Sequence, residues 1–352
     1  MSAIISSETT ANSEAAGNWS LRPYREGDVQ GMVAVANAAF AADKRDKVMS
    51  IEEMERSLAM PLSDPPRQVI IADAPRVEGV PEGTPIGYGR ILAMHDKEQD
   101  QRLFQFNLHV HPAARGMGLE RVLLGRMMET ARSVEADPGT EPASNTFVLT
   151  MASEKNTSLR PILEEIGLRE LRQGWIMERA LDESLDEPQS IEGVNLRTYR
   201  LPEDNAAALQ AYNSSFIDHF EFHAFTQEMW DYMAGTPEMR PELSWLAEVE
   251  GTTGAIAGFC LCEIKDENNK HTGRSEGWIA LLGTVRGWRG KGLGRALLLR
   301  GLHSLKDAGI RTALLGVDSE SLTGANRLYE SVGFRVREHE ILYKCRLDEV
   351  QV

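Results

Sequence analysis

A glycine-rich basic loop at residues 288–295, WRGKGLGR, is the feature that most constrains how this chain folds. The apolar segment 278–285 before it predicts a strand, and the segment 296–305 after it carries apolar residues at helical spacing. Glycine has no Cβ, so the three glycines of the loop permit positive φ angles and a close approach of a ligand to the backbone. Because free N–H groups at a helix N-terminus attract anions, the loop predicts a cradle for a pyrophosphate.

Two common phosphate-binding loops do not fit this segment. A P-loop requires Lys followed by Ser or Thr, whereas Lys291 is followed by Gly292. A dinucleotide-binding loop has the spacing G-x-G-x-x-G near the start of its domain, whereas here the spacing is G-x-G-x-G and about a hundred residues of the same half come first.

Two motifs resemble those of the GNAT acyltransferase family. The order Arg-x-x-Gly-x-Gly, at positions 289, 292 and 294, resembles the family's coenzyme A loop. The segment 326–334, NRLYESVGF, is similar to the helix and turn that follow the fifth strand of the family. A predicted strand at 312–317 lies between the two motifs, so their order and spacing also agree with the family.

The chain contains the same pattern twice. The segment 21–28, LRPYREGD, is matched by 196–204, LRTYRLPED, and the segment 109–119 is matched by 284–293, which includes most of the basic loop. The turn 163–168, LEEIGL, is matched by 329–334, YESVGF. The resemblance therefore extends to tandem GNAT proteins, with a layout like that of mycothiol synthases.

This resemblance implies a mixed α/β fold in two parts. Each part is expected to be a twisted, mixed and mainly antiparallel sheet flanked by helices, with splayed central strands. We expect a disordered tail at 1–18, an N-terminal GNAT domain at 19–182, an acidic linker at 183–193 and a C-terminal GNAT domain at 194–352.

The two copies differ at two positions that the chemistry requires. Glu120 stands where the second copy has Gly294, and a carboxylate there opposes a pyrophosphate by charge and by shape. Leu163 stands where the second copy has Tyr329. We therefore predict that the C-terminal copy binds coenzyme A and that the N-terminal copy is degenerate.

The resemblance assigns site residues in the C-terminal copy. Tyr329 is expected to protonate the departing thiolate, and Asn326, one helical turn earlier, to orient the phenol or touch the pantetheine. The residues expected to bind coenzyme A are Leu282, Gly283, Thr284, Val285, Arg289, Gly290, Lys291, Gly292, Leu293, Gly294, Arg295 and Asn326.

The general base is less constrained by the sequence. The predicted fourth strand of the C-terminal copy carries no carboxylate, and Glu276, just before it, is our first candidate. Asp318, His219 and His223 remain alternatives. The two histidines also have an i, i+4 spacing, but they lack the H-E-x-x-H pattern and a third ligand, so no metal is predicted.

Composition limits the class of function. A net charge of −15 argues against nucleic acid as a partner, and no apolar run approaches the roughly 20 residues that span a membrane. Three cysteines without a C-x-x-C pair indicate neither a disulfide framework nor a zinc site. We expect a cytoplasmic monomer or homodimer.

The sequence therefore predicts an N-acetyltransferase. It would transfer an acetyl group from acetyl-CoA to a primary amine of a small molecule, by direct attack in a ternary complex. The alternatives are a mycothiol-synthase-like acetyltransferase and a non-catalytic acyl-CoA-binding module that senses or scaffolds.

Overall fold

The computed structural model describes residues 19–351, apart from residues 75, 97–98, 138, 220–221 and 322–323. The tail predicted at 1–18 lies outside the described residues. Twelve strands and ten α-helices follow one another along the described chain, in two runs of similar order.

The first run ends in a long strand, β6. Its elements are β1 (Ser20–Pro23), α1 (Val29–Ala42), α2 (Ile51–Leu58), α3 (Pro65–Gln68), β2 (Val69–Asp73), β3 (Gly87–Asp96), β4 (Gln101–Val110), α4 (Leu119–Glu135), β5 (Asn145–Ser153), α5 (Leu159–Glu165) and β6 (Arg169–Ala180).

The second run repeats the order of the strands, with α8 added between β9 and β10 and no counterpart of α3, and it ends in the equivalent strand, β12. Its elements are β7 (Val194–Thr198), α6 (Asn205–Phe216), α7 (Gln227–Ala234), β8 (Trp245–Val249), β9 (Ile256–Glu263), α8 (Asp266–Thr272), β10 (Glu276–Thr284), α9 (Leu293–Asp307), β11 (Thr312–Asp318), α10 (Ala325–Ser331) and β12 (Arg335–Arg346).

The helices cover both faces of the sheet because the central strands are apolar on both sides. In β9, Phe259 and Leu261 face the aromatic cluster of α6 and α7, which contains Trp230. Cys260 and Cys262 alternate with them and face the leucines of α9. Burial on two faces explains why seven of the eight residues of β9 are buried.

The twelve strands form one continuous sheet rather than two. The strand order is β1-β2-β3-β4-β5-β12-β6-β11-β10-β9-β8-β7. Strands β1 to β6 are equivalent to β7 to β12. If each strand is replaced by its equivalent, the same order is obtained when the sheet is traversed from the opposite edge. Each half therefore completes its sheet with the last strand of the other half, and β6 and β12 pair antiparallel in the middle.

The exchanged strands contribute to the partner's core. Tyr343, on β12, is fully buried in the cluster of the N-terminal half, beside residues such as Phe104 and Leu163. Met177, on β6, is fully buried in the cluster of the C-terminal half, with Leu315. The mixed α/β class and the flanking helices predicted from the sequence are confirmed, whereas the exchange was not predicted.

The central strands of the C-terminal half splay apart. β10 and β11 run parallel and pair only from Glu276↔Thr312 to Trp278↔Leu314. Beyond this point β10 keeps β9 as its neighbour, with a bulge between Ile279 and Leu281. One edge of β10 is therefore open over its second half, as the resemblance implied.

We predict that a cavity made in an exchanged strand weakens the half that receives it. Tyr343→Ala and Met177→Ala each remove a fully buried side chain and are expected to cost about 2–5 kcal/mol. Hydrogen exchange should rise first at the amides of β5 in Tyr343→Ala and of β11 in Met177→Ala. The exchanged topology would be contradicted if exchange rose first in the C-terminal half for Tyr343→Ala, or first in the N-terminal half for Met177→Ala.

Candidate functional site

A cleft opens where β10 separates from β11, and we call it the loop cleft. It is enclosed by the second half of β10, the turn into α9 and the first turns of α10. The side chains and backbone that line it belong to Ser215, Phe216, His219, Leu282, Gly283, Thr284, Trp288, Arg289, Gly290, Gly292, Leu293, Gly294, Arg295, Gly324, Ala325, Leu328 and Tyr329.

The loop presents its backbone N–H groups without partners. Gly290 and Gly292 have φ angles of +75° and +82°, which L side chains rarely adopt. Among the described residues, no group accepts a hydrogen bond from the six consecutive N–H groups of Gly290 to Arg295. A row of unpaired N–H groups that ends at a helix N-terminus is a binding site for an anion.

Gly294 differs from the other two glycines of the loop. It lies in the first turn of α9, and its φ angle is not positive. A Cβ placed there would lie 3.4 Å from Thr284 Oγ1 and 3.6 Å from Leu328 Cδ2, which are ordinary contacts. A methyl group is therefore tolerated at this position, whereas a longer side chain would project towards the cleft.

The N-terminal half contains an equivalent loop, in which a side chain of the protein occupies the position of the anion. Gly116 and Gly118 have φ angles of +71° and +90°, so the backbone is nearly the same. Glu120 is 2% exposed, and its Oε1 accepts a 3.4 Å hydrogen bond from the N–H of Gly116. The carboxylate thus stands where an external anion would bind. The corresponding cavity of the N-terminal half, which Arg115 and Glu120 line, has a volume of about 60 Å³, whereas the loop cleft has about 260 Å³.

Arg289 braces the loop instead of facing the cradle. Its guanidinium donates to Asp218 Oδ2 at 2.8 Å and to the carbonyl of Ser215 at 2.7 Å, while Nε donates to the carbonyl of Thr284 at 3.2 Å. These hydrogen bonds, with those from Arg286, hold the pKa of Asp218 below its usual value. The sequence predicts that Arg289 holds phosphate directly, whereas these three hydrogen bonds favour a supporting role.

The other basic residues of the loop, Lys291 and Arg295, each interact with a neighbouring side chain. Lys291 places its ammonium 4.6 Å from the centroid of the Trp288 ring. Arg295 pairs with Asp186 of the linker at 2.5 Å, although it still borders the cleft.

Val285, another residue expected to bind coenzyme A, uses its backbone N–H within the sheet. This N–H donates to the carbonyl of Ala257, beside β9.

Tyr329 lies at the inner end of the loop cleft. Its ring packs edge-on against Phe334 with centroids 6.0 Å apart, and the residue is 7% exposed. Burial raises the pKa of the Tyr329 phenol well above its ordinary value, so the hydroxyl keeps its proton at neutral pH. Among the described residues none hydrogen-bonds to this hydroxyl. Leu163, at the equivalent position, is fully buried.

A second cavity, the strand cleft, continues from Tyr329 along the open edge of β10. It shares Phe216, His219, Leu282, Ala325 and Tyr329 with the loop cleft. Its other lining residues are Arg172, Asp218, Ile279, Ala280, Leu281, Gly316, Val317, Asp318 and Ser321.

His219 is the imidazole common to both clefts. Its ring packs against Phe216 with ring centroids 4.2 Å apart and an interplanar angle of 36°. The crowding of protein atoms around the ring, and then the positive charge of Arg289, lower the pKa of His219 below its usual value, although solvent still reaches the side chain. The imidazole is therefore neutral at pH 7 and able to accept a proton.

Two of the candidate bases are less suitable. Glu276 does not line either cleft and is held by Arg337 at 2.7 Å and Arg274 at 3.2 Å, at the paired end of β10. This placement corrects our first choice, because two guanidinium groups enclose the carboxylate and it lines neither the loop cleft nor the strand cleft. Asp318 lines the strand cleft but accepts hydrogen bonds from Arg172 and from the N–H of Glu320.

Asn326 stabilises the turn that precedes α10 and does not face the clefts. Its side-chain N–H donates to the carbonyl of Ser319 at 2.8 Å and so holds the turn that precedes α10. The residue lines neither cleft. His223 also lies outside both clefts, and among the described residues no group of three His, Cys, Asp or Glu side chains is arranged to hold a metal.

Sequence reasoning missed the acidic brace and the contribution of the exchanged strand. The pair Arg289–Asp218 has an equivalent in Arg115–Asp43, at 2.5 Å. The repeat of Asn-x-x-Phe at 37–40 and 213–216 is the nearest signal, and it brings the two acids to within one position of each other in the alignment. Arg172 had no such signal, because it reaches the site only through the strand exchange.

Comparison with known proteins shows the family of this chain. The model of the Acetyltransferase (GNAT) family matches residues 205–334, which include the loop and Tyr329. A mycothiol acetyltransferase from Thermobispora bispora is 32% identical over 67% of this chain and 74% of its own length. One from Thermobifida fusca is 33% identical over 52% of this chain, a match that spans 60% of the relative.

Solved structures share the fold over nearly the whole chain. A GCN5-related N-acetyltransferase from Sphaerobacter thermophilus has a TM-score of 0.70 and 26% identity, and the match covers 95% of this chain and 97% of that one. A tandem GNAT protein from the clavulanic acid biosynthesis pathway has a TM-score of 0.65 at 17% identity, with 94% and 98% covered. Within the described chain, no helix has the length and apolar character needed to cross a membrane.

We predict one coenzyme A site per chain, formed by the loop of the C-terminal half. Gly294→Glu, which copies the N-terminal residue into this loop, should weaken coenzyme A binding at least about a hundredfold, because a carboxylate would take the place of a phosphate. Titration calorimetry on the parent chain and the variants measures affinity and stoichiometry.

Two variants serve as controls for this prediction. Gly294→Ala should keep most of the affinity, since its Cβ makes only ordinary contacts. Glu120→Gly should leave turnover nearly unchanged. A stoichiometry near two in the parent, or tight binding of one equivalent by Gly294→Glu, would show that the N-terminal half is a working site.

Proposed function

Because this chain belongs to the GNAT acetyltransferase family, we propose that it transfers an acetyl group from acetyl-CoA to a primary amine of a small molecule, in a ternary complex. The observation that carries the proposal is the loop cleft, in which six unpaired N–H groups lead directly to a buried phenol. The C-terminal half, at 194–352, performs the reaction, and the N-terminal half, at 19–182, supports it.

The donor is held mainly by backbone groups. The N–H groups of Gly290 to Arg295 bind the pyrophosphate at the N-terminus of α9. Val285 donates its N–H to β9, and N–H groups alternate along a strand, so those of Leu282 and Thr284 point into the splay. They pair with the pantetheine arm and with the thioester carbonyl, whose oxygen gains negative charge as the amine attacks.

The transfer itself needs one proton acceptor and one proton donor. The amine nitrogen forms a bond to the thioester carbon, and the carbon–sulfur bond then breaks. The sulfur takes the proton of the Tyr329 hydroxyl, and the nitrogen loses its proton to the base. Solvent returns a proton from the base to the phenolate, so the products are the acetylated amine and the free thiol of coenzyme A.

His219 is the base that the geometry favours. It borders both clefts, beside Leu282 and Tyr329, and its lowered pKa leaves the ring nitrogen free to accept a proton at pH 7. An amine with a pKa near 10 is mostly protonated at this pH, so a base in reach of its neutral form assists the attack.

A mycothiol-synthase-like acetyl transfer is the second candidate. It is favoured by relatives of 32–33% identity that are mycothiol acetyltransferases. Release of thiol from acetyl-CoA, measured with a panel of amines that includes the mycothiol precursor, tests both candidates. Turnover that requires an acceptor supports an enzyme, whereas acetyl-CoA binding without turnover for any amine would indicate a non-catalytic binding module.

We predict that Tyr329→Phe keeps the affinity for acetyl-CoA and lowers kcat by about ten- to a thousandfold. Phenylalanine preserves the packing against Phe334, so only the hydroxyl is lost. Steady-state kinetics at saturating substrates measure the effect. Unchanged turnover would remove Tyr329 from the mechanism.

We predict that kcat/KM rises between pH 6 and 9, because the acceptor amine must lose its proton before it attacks. His219→Gln should lower kcat/KM by about ten- to a hundredfold at pH 7 and less at pH 9, where more of the amine is already neutral. Profiles of the parent and the variant, measured with the same amine, test this. A flat profile, or a variant that matches the parent at every pH, would exclude His219 as the base.

A further inference from the structure

The linker between β6 and β7 lies along α9 and reaches the glycine-rich loop. Near the C-terminal end of α9, Lys306 donates to the carbonyl of Glu183 at 3.1 Å. At the other end of the helix, a Cβ on Gly292 would lie 3.7 Å from Ile191 Cδ1. The linker therefore runs towards the N-terminus of α9, where the proposed donor site lies. No step of the proposed transfer uses this segment.

The linker backbone is fixed around Asp186, whereas the carboxylate of this residue is exposed. Arg179 donates to the carbonyl of Ser184 at 2.8 Å, and Nε2 of His303 lies 3.1 Å from the carbonyl oxygen of Asp186. The Asp186 side chain is 72% exposed and pairs with Arg295, whose side chain is 31% exposed. An exposed ion pair contributes little free energy, so another anion can replace this carboxylate without displacing the linker backbone.

Arg295 is placed to receive such an anion. It is the last residue of the row 290–295, whose N–H groups have no acceptor among the described residues, and it lines the loop cleft. Asp186 does not line this cleft. A phosphate bound by the N–H groups would bring negative charge beside the guanidinium, and the planar guanidinium of arginine matches two phosphate oxygens at once.

The equivalent arginine of the N-terminal half has a different partner. Arg121 aligns with Arg295, and it pairs with Glu165 at the end of α5. The residue of α10 that aligns with Glu165 is Ser331, whose hydroxyl donates to the carbonyl of Leu328 at 2.7 Å. The C-terminal half therefore has no acid at this position, and the linker supplies the acid that neutralises Arg295.

We propose that Asp186 competes with a phosphate group of the donor for Arg295. When coenzyme A binds, the guanidinium of Arg295 turns from the Asp186 carboxylate to the phosphate, and the carboxylate returns to solvent while the linker backbone stays in place. Asp186 thus lowers the affinity of the donor site. This inference rests on the proposed coenzyme A binding and adds the residue that tunes it.

Titration calorimetry of the full chain with coenzyme A tests this competition. Asp186→Asn keeps the shape of the side chain and removes its charge, so it should bind coenzyme A about two- to fivefold more tightly than the parent. Glu187→Gln removes an equal charge from the next residue, which is exposed and has no ion pair with a described residue. It should match the parent, because solvent screens an exposed charge without a partner. Unchanged affinity in Asp186→Asn, or an equal gain in Glu187→Gln, would overturn the proposal.

A double-mutant cycle assigns the gain to Arg295. Arg295→Met, which keeps an apolar stem, should weaken coenzyme A binding about three- to tenfold. In this background Asp186→Asn should give no further gain, because the guanidinium for which the two anions compete is absent. A gain that persists there would show that Asp186 repels the donor directly, and it would refute the competition, as would an Arg295→Met variant that binds like the parent.

Dephospho-coenzyme A, which lacks the 3′-phosphate, identifies the phosphate that replaces Asp186. If the gain of Asp186→Asn seen with coenzyme A is lost with this ligand, Arg295 binds the 3′-phosphate. If the gain is the same with both ligands, Arg295 binds the pyrophosphate. Either result supports the exchange of a carboxylate for a phosphate at Arg295.

Thiol release from acetyl-CoA separates this inference from the proposed function. If coenzyme A binds with the expected gain in Asp186→Asn but no amine supports turnover, the competition stands and the acetyl transfer fails. If amines are acetylated while Asp186→Asn binds coenzyme A like the parent, the enzyme stands and the role of Asp186 is refuted.

Discussion

The pairing of β6 with β11 is the constraint on which the site depends. β10 and β11 splay after three pairs, so β11 needs a second neighbour along its whole length, and β6 supplies it over seven pairs from Thr312↔Ala180 to Asp318↔Gly174. Because β6 belongs to the N-terminal half, it also brings Arg172 to the strand cleft. The lining of the strand cleft is therefore composite, and neither half supplies all of it.

The two loops show how little separates an open anion site from a closed one. Both have a pair of glycines with positive φ, followed by the first turn of a helix. In the N-terminal half, the Glu120 carboxylate reaches back and accepts a hydrogen bond from the N–H of Gly116. In the C-terminal half, Gly294 stands at the equivalent position and no described group accepts from the N–H groups of residues 290–295. This difference is why we propose an external anion for the C-terminal loop alone.

Much of this organisation was predictable from the sequence. The loop, the strand before it and the helix after it follow from local patterns, which is why the fold class and the duplication are confirmed. The exchange of β6 and β12 was not predictable, because both are the last strands of equivalent halves and the same apolar pattern suits either sheet. Glu276 was misjudged for a related reason: the sequence places it before β10 but does not show that two arginines of the fold enclose it.

Arg289 illustrates a different limit. A basic residue beside a predicted phosphate loop suggests a contact with the phosphate, and only the folded chain shows that Asp218 and the Ser215 carbonyl already occupy its guanidinium. The sequence contains an equivalent pair, Arg115 and Asp43, in the N-terminal half. This pair becomes informative only once the structure shows that each acid lies beside its arginine.

The duplication also separates architecture from function within one molecule. Arg22 pairs with Asp28 and Asp73, and Arg197 pairs with Asp204 and Glu248 in the same way. The braces of the two loops are likewise present in both halves, so these pairs maintain the fold whether or not a ligand binds.

Other features occur in the C-terminal half alone. They are the open cradle, the phenol of Tyr329, the bulge in β10 and the early splay; β4 and β5 instead stay paired over six positions, and the pairing of β3 with β4 has no bulge. Arg289 is therefore one of the features shared by both halves, whereas Tyr329 is specific to the C-terminal half. The N-terminal half therefore shares the pairs that hold the sheet together and lacks the features to which we assign the proposed transfer. What it contributes to the strand cleft is β6, which pairs with β11 and places Arg172 in the lining.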